Sequence, residues 1–192
     1  MGTLKLLLAC AAVVGTTVAP RAQQRPEMNE KRTNGRIAVV YFSATGTTRR
    51  AAGVVAEATG GTLHEIVPER PYTAADLDWH DRQSRSSREM NDPAARPAIV
   101  EDDWDAEAVE VVFLGYPIWW DLAPRVVNTF IESHDLKGKT LIPFATSGGS
   151  GIAASVAALQ GEYPALDWKA GKLLNRADAK SVREWLDRSG IR

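Results

Sequence analysis

A single cysteine, Cys10, is all that the 192 residues contain, so an internal disulfide and a cysteine-rich metal site are both excluded. Net charge is nearly absent as well. A formal −1, with no long run of lysine or arginine, removes the electrostatic footprint of a nucleic-acid binder. There is no internal repeat and no low-complexity tract. The three histidines, His64, His80 and His134, stand far apart without a metal-ligand spacing, so surface or structural roles are expected of them and no metal. A nucleophile elbow is missing too: GxSxG around Ser150 would need glycine at position 152, where Ile152 stands. No catalytic residue is therefore assigned. What remains is an ordinary soluble composition, 44% hydrophobic and 24% charged, on a chain long enough for one domain with a sizeable core.

The chain start differs from the rest. Met1 to Ala22 holds Lys5, then the apolar stretch Leu6 to Val14, and no acid. A positive start before a segment too short to anchor in a bilayer reads as an export signal. Cys10 lies in "LLAC", which resembles a bacterial lipobox, so a lipid anchor at Cys10 is one outcome. Cleavage near Ala19 or Ala22 is another, and a cytoplasmic protein with an apolar N-terminus is the alternative to both. Removing residues 1–22 takes away Lys5 and Arg21 and no acid, moving the net charge from −1 to −3. Residues 23–35, polar with proline and glycine, read as a linker, which leaves 36–192 as the folded domain.

From Arg36 onward, strand and helix signals alternate. Ile37 to Phe42 is a nearly unbroken apolar run, expected of a strand buried on both faces. Thr62 to Val67, Val109 to Gly115 and Thr140 to Thr146 are the next three strands, with Lys172 to Leu174 as a short fifth. Helices are expected over Thr47 to Thr59, Asp121 to Ser133, Ile152 to Leu159 and Asp178 to Arg188. An exposed helix around Ala74 to Asn91 would precede a loop through Pro93 and Pro97. Such alternation implies parallel strands joined by right-handed crossovers, a three-layer α/β/α sandwich.

In an open parallel sheet, ligands bind beyond the carboxyl ends of the strands, and three loops there look specialised. The first, "SATGTT" at residues 43–48, offers the hydroxyls of Ser43, Thr45, Thr47 and Thr48 and a turn at Gly46. It leads into a helix whose free N–H groups favour an anion. It lacks the lysine of GxxxxGK[ST], and GxGxxG is absent, so one terminal phosphate suits it better than a chain of phosphates. An ordinary N-capping turn has the same composition. The second loop decides between these readings. "GYPIWW" puts Tyr116, Trp119 and Trp120 where polar turn residues are usual, which suggests that one indole covers a flat ring while the other anchors the next helix. The third, "TSGGSG" at 146–151, offers backbone amides with little bulk, suited to the edge of a heterocycle or simply to a flexible turn.

These three motifs, in this order and after these strands, resemble the flavodoxin-like family, and the resemblance covers nearly everything from Arg36 to the C-terminus. It implies strand order 2-1-3-4-5 in a five-stranded parallel sheet. It also implies bound FMN, with the phosphate on Ser43, Thr45, Gly46, Thr47 and Thr48. The ring would lie among Pro117, Ile118, Trp119 and Trp120, with Trp119 as its partner, and Ser147, Gly148, Gly149, Ser150 and Gly151 would line its pyrimidine edge. "HEIVPERPY" at 64–72 and "RPAIV" at 96–100 also resemble a sometimes exported flavodoxin-like subgroup to which no reaction is attached. Flavodoxins are typically strongly acidic, which helps them dock on basic partners; a net of −3 sets this chain apart.

Three functions stay open on this evidence. One is an electron carrier acting with a redox partner protein. A second is an NAD(P)H-dependent reductase of quinones or similar small acceptors. The third is a flavin-free phosphate-ester binder or structural domain. Arg82, Arg85 and Arg88, at every third position, would form one basic helix face; most such stripes are merely solvated, and the other reading places this one near the flavin site, facing a phosphorylated or acidic partner.

Overall fold

The computed structural model describes residues 36–101 and 104–189; the expected signal segment, Cys10 and the linker lie outside the described residues. The first strand, β1 (Ile37–Tyr41), is buried at every position, and its side chains alternate between two separate cores. Ala38, Val40 and Phe42 join one core, while Ile37, Val39 and Tyr41 join the other. That division is the period-two consequence of a strand with helices over both faces.

The helices sort the same way. α1 (Thr47–Thr59) and α5 (Ala179–Ser189) bury Ala51, Ala52, Val55, Val182, Trp185 and Leu186 against one face. α3 (Arg125–Ser133) and α4 (Ala153–Glu162) bury Val126, Val127, Phe130, Ile131 and Leu159 against the other. The sheet between them runs β2 (Thr62–Glu65), β1, β3 (Val111–Pro117), β4 (Thr140–Thr146), all parallel. The fifth position holds two pieces, β5 (Asp167–Trp168) and β6 (Lys172–Leu173), both parallel to β4. Order 2-1-3-4-5 and the three layers agree with the expectation. The sequence showed β6 and missed β5, because two residues carry no periodicity.

Two helices begin later than their composition suggested. α3 starts at Arg125, with Pro124 as its extended N-cap, not at Asp121. The residue before a proline is pushed out of the helical region, which bars Ala123 from the first turn. α2 (Arg85–Asn91) is all that forms of the expected Ala74 to Asn91 helix. Upstream, aspartates hold the backbone in local turns: Asp76, Asp78 and Asp81 accept from the amides of Thr73, His80 and Gln83 at 3.0, 3.0 and 2.8 Å. Such side-chain bonds compete with the helical ladder. Ser84 caps α2 by accepting from the Ser87 amide, so Arg82 precedes the helix and the expected three-arginine face does not exist. Among the described residues no helix is long and apolar enough to cross a membrane.

Gly115 shows how tightly the centre is packed. It pairs in register with Phe144, and a Cβ built on it would lie 2.2 Å from the Phe144 ring. Gly115→Ala should lower stability by about 1–3 kcal/mol, as overpacking does. A urea midpoint equal to the parent's would show that Phe144 has room to turn.

Candidate functional site

The carboxyl ends of β1, β3, β4 and β6 open on one cleft of about 720 Å³, within the range of small-molecule sites. It lies where the strand order reverses, β1 sending its connection to β2 on one side while β3 lies on the other.

One wall is the 43–48 turn. Gly46 is the N-cap of α1 with φ 84°, a left-handed conformation that glycine adopts without strain. No side chain caps this helix and its first turn carries no acid, so the amides there have no anionic partner among the described residues. Of the two arginines in that first turn, Arg49 is paired with Glu65 at 2.6 Å, and Arg50 adds positive charge where a helix normally disfavours it. Ser43 Oγ is buried with no hydrogen-bond partner. Thr45 and Thr47 are exposed on the cleft, their hydroxyls 3.5 Å apart. Thr48 differs from its neighbours: it is buried, and its hydroxyl lies 2.8 Å from that of Thr146, tying α1 to the end of β4.

The opposite wall is aromatic. Pro117, Ile118, Trp119 and Trp120 all line the cleft. Tyr116 does not, because it belongs to β3 and is wholly buried, its hydroxyl 3.1 Å from Ser155 Oγ; burial pushes this phenol up to about 12. Trp119 and Leu122 exchange two backbone hydrogen bonds, at 3.0 and 2.9 Å, around Trp120 and Asp121, both at positive φ (47° and 62°). That is a two-residue hairpin of the primed kind, normally built with asparagine and glycine. A tryptophan held there is strained. The half-buried Trp119 ring meets Phe42 and Tyr72 nearly at right angles, with centroids 5.6 and 5.2 Å away.

Tyr72 is itself braced. Its hydroxyl donates to Glu89 at 2.5 Å, Arg85 pairs with Glu89 at 2.6 Å, and the Arg85 guanidinium lies 4.0 Å above the Tyr72 ring. Burial, then the Glu89 carboxylate, holds the Tyr72 phenol well above the ordinary tyrosine range. Arg85, read from sequence either as solvated or as near the site, thus sits behind the aromatic wall.

Of the third loop, Thr146, Ser147 and Gly148 line the cleft. The Gly149 and Ser150 amides turn inward to Ser147 Oγ at 3.2 and 2.8 Å, and the Ser147 amide donates to Asn175 Oδ1 at 2.7 Å. The loop closes on itself, and Gly149, Ser150 and Gly151 stand outside the lining. The sequence reading also missed residues that do line it: Leu77 and Trp79 from the turn-rich segment, Asn175 and Arg176 after β6, and Ser86 of α2. Trp79, 67% exposed, and Trp120, 43% exposed, stand at the rim. A lone tryptophan among aspartates was the only sign of the first pair. Nothing local marked the second, which arrives through the sheet order.

His64 and His134, distant in sequence, meet around Trp104 and Phe130 in an aromatic cluster. No group of histidine, cysteine, aspartate or glutamate among the described residues is placed to hold a metal ion.

The fold is a doubly wound parallel α/β sandwich, the class whose ligands sit beyond the carboxyl ends of the strands where the strand order reverses, and here that place holds an uncapped helix start and an aromatic wall. The flavodoxin family model matches residues 36–189, and the chain belongs to that family. Among solved structures it is similar to a candidate flavoprotein from Bacteroides eggerthii, with 58% identity over 82% of this chain and 99% of that one, at a TM-score of 0.80. A second candidate flavoprotein, from Bacteroides uniformis, gives 53% identity over 80% and 99%, with a TM-score of 0.78. A flavoprotein of Lactobacillus acidophilus, solved in complex with FMN, shares the fold at 19% identity over 78% and 97%, with a TM-score of 0.64. No curated protein matches the sequence.

Backbone strain of the kind held by Trp120 persists where surroundings or function require it. Trp120→Gly should raise the free energy of unfolding by about 1 kcal/mol. A lower urea midpoint would mean that indole packing outweighs the strain.

Proposed function

We propose that the cleft binds FMN and that the protein serves electron transfer through it. The observation carrying this reading is an unneutralised anion seat sharing one cleft with an indole wall. The seat consists of the uncapped start of α1, where Thr45, Thr47 and Thr48 line the cleft, and the orphaned Ser43 hydroxyl, one residue before the lining residue Ala44; Trp119 lines the same cleft. The donor set fits a phosphate, since amides at a helix start together with Ser43, Thr45 and Thr47 present donors and no competing carboxylate. Thr48 would contribute by holding β4 against α1, its hydroxyl already engaged with Thr146.

Pro117, Ile118, Trp119 and Trp120 would take the ring, with Ser147 and Gly148 at its polar edge. Bound FMN supplies one- and two-electron redox chemistry; the chain's part is to bind it, orient it and exclude water. The structural likeness to the Lactobacillus acidophilus flavoprotein with FMN supports the choice of cofactor. The electron would pass to a redox partner protein or a small acceptor. The export signal read in residues 1–22 would place that exchange outside the cytoplasm, with a lipid anchor at Cys10 as its tightest form.

A second reading, an NAD(P)H-dependent reductase of quinones, draws on the rim. Trp79 and Trp120 leave apolar surface beside the site, where another flat molecule could stack. Steady NAD(P)H oxidation by a quinone, with no other protein present, would establish it.

The purified chain titrated with FMN and with riboflavin should bind FMN more tightly. Ser43→Ala combined with Thr47→Val should weaken FMN at least about tenfold while leaving riboflavin alone, as loss of bonds to a charged group does. Equal losses for the two ligands would refute the phosphate seat. Trp119→Ala should restore much of the fluorescence that the parent quenches on binding; unchanged quenching would remove Trp119 as the ring partner.

A further inference from the structure

The sequence suggests a headgroup held by dipoles and hydroxyls alone, because the 43–48 loop has no lysine. The fold brings in a cation from elsewhere. Among the described residues Arg176 is the one charged side chain lining the cleft. It is exposed, makes no ion pair within those residues, and lies in the turn between β6 and α5.

Two independent features put it at the phosphate end rather than elsewhere along the cleft. The first is a chain of contacts: Thr48 bonds Thr146 at 2.8 Å, the adjacent Ser147 amide bonds Asn175 at 2.7 Å, and Arg176 follows. The second is topology. α1 and α5 lie side by side in one core, and both follow strands of the same parallel sheet. Their N-termini therefore lie at the same end, on helices whose axes pack roughly 8–10 Å apart where they meet, within the reach of an arginine side chain.

The two helix starts are treated differently. Asp178 caps α5, accepting from the amides of Lys180 and Ser181 at 2.9 Å each, so that start already has its anion. The Asp178 carboxyl is held below its usual range chiefly by the Ser181 amide bond. The start of α1 has none. A second anion between them would meet one open helix start and one uncommitted guanidinium, whose planar fork matches phosphate oxygens.

We infer that Arg176 is the counter-ion of the ligand's phosphate and thereby selects the phosphorylated flavin over the unphosphorylated one. The inference rests on the FMN reading above. An exposed charge pair is screened by salt, so its signature is ionic-strength dependence.

The test is fluorescence titration of the full chain with FMN and with riboflavin at about 20 mM and about 500 mM salt, where the Debye length shrinks several-fold. The parent should lose FMN affinity as salt rises and keep its riboflavin affinity. Arg176→Gln should bind FMN about tenfold more weakly at low salt, respond little to added salt, and match the parent with riboflavin; Arg176→Lys should recover much of the loss. Circular dichroism of each variant separates these effects from misfolding. FMN binding in Arg176→Gln with the parent's affinity and salt response would overturn the counter-ion role and leave FMN binding standing. Failure of the parent to bind FMN would overturn both.

Discussion

The open start of α1 is the constraint on which the site depends. A helix start leaves backbone donors without intrahelical partners, and chains ordinarily satisfy them with a serine, threonine or aspartate cap. Here Gly46 occupies the cap position, so no side chain can fold back over those donors. Thr45 and Thr47 line the cleft, the Ser43 hydroxyl is buried without a partner, and the first turn carries arginines instead of acids. Taken as stability alone this is a poor helix start. It becomes sensible when an external anion completes it.

The aromatic wall shows a comparable departure from local preference. A primed hairpin turn with Trp120 and Asp121 at positive φ keeps Trp119 next to the strand end. Phe42 from β1 and Tyr72 from the turn-rich segment then fix the angle of its ring. Tyr72 is in turn held by Glu89 and Arg85. A largely buried ion pair contributes little net stability once desolvation is counted, so its effect here is to orient: it limits how the indole can rotate. The wall thus joins residues from β1, the β3 loop and α2 through contacts that span half the domain.

How much of this could be read from the chain follows from the range of the interactions. Parallel pairing and the three layers were legible because strands buried on two faces read as continuous apolar runs, as at Ile37 to Phe42; the strand order came through the family resemblance of the three loops. The hydroxyl turn and the tryptophan loop were legible because local composition marked them. The short β5, the turns imposed by Asp76, Asp78 and Asp81, and the late start of α3 were not, because side-chain capture of the backbone and exclusion ahead of Pro124 override periodicity. Arg176 was out of reach of any local reading. Its place depends on β6 lying beside β4 and on α5 lying beside α1, which only the assembled fold supplies. Gly149, Ser150 and Gly151 were read as ligand-facing from their smallness, whereas the Ser147 hydroxyl draws the third loop back onto itself.

Flavodoxin-family membership fixes the scaffold, while the reaction depends on what meets the cleft from outside. A weak net charge gives little steering toward a basic partner protein, and the exposed tryptophans at the rim offer apolar contact instead. The most direct check of the central claim is amide NMR of the isotopically labelled chain during FMN titration. Large downfield shifts at the Gly46, Thr47 and Thr48 amides, absent with riboflavin, are the result expected of an anion seated on α1. Shifts confined to the aromatic loop, or identical for the two flavins, would contradict it.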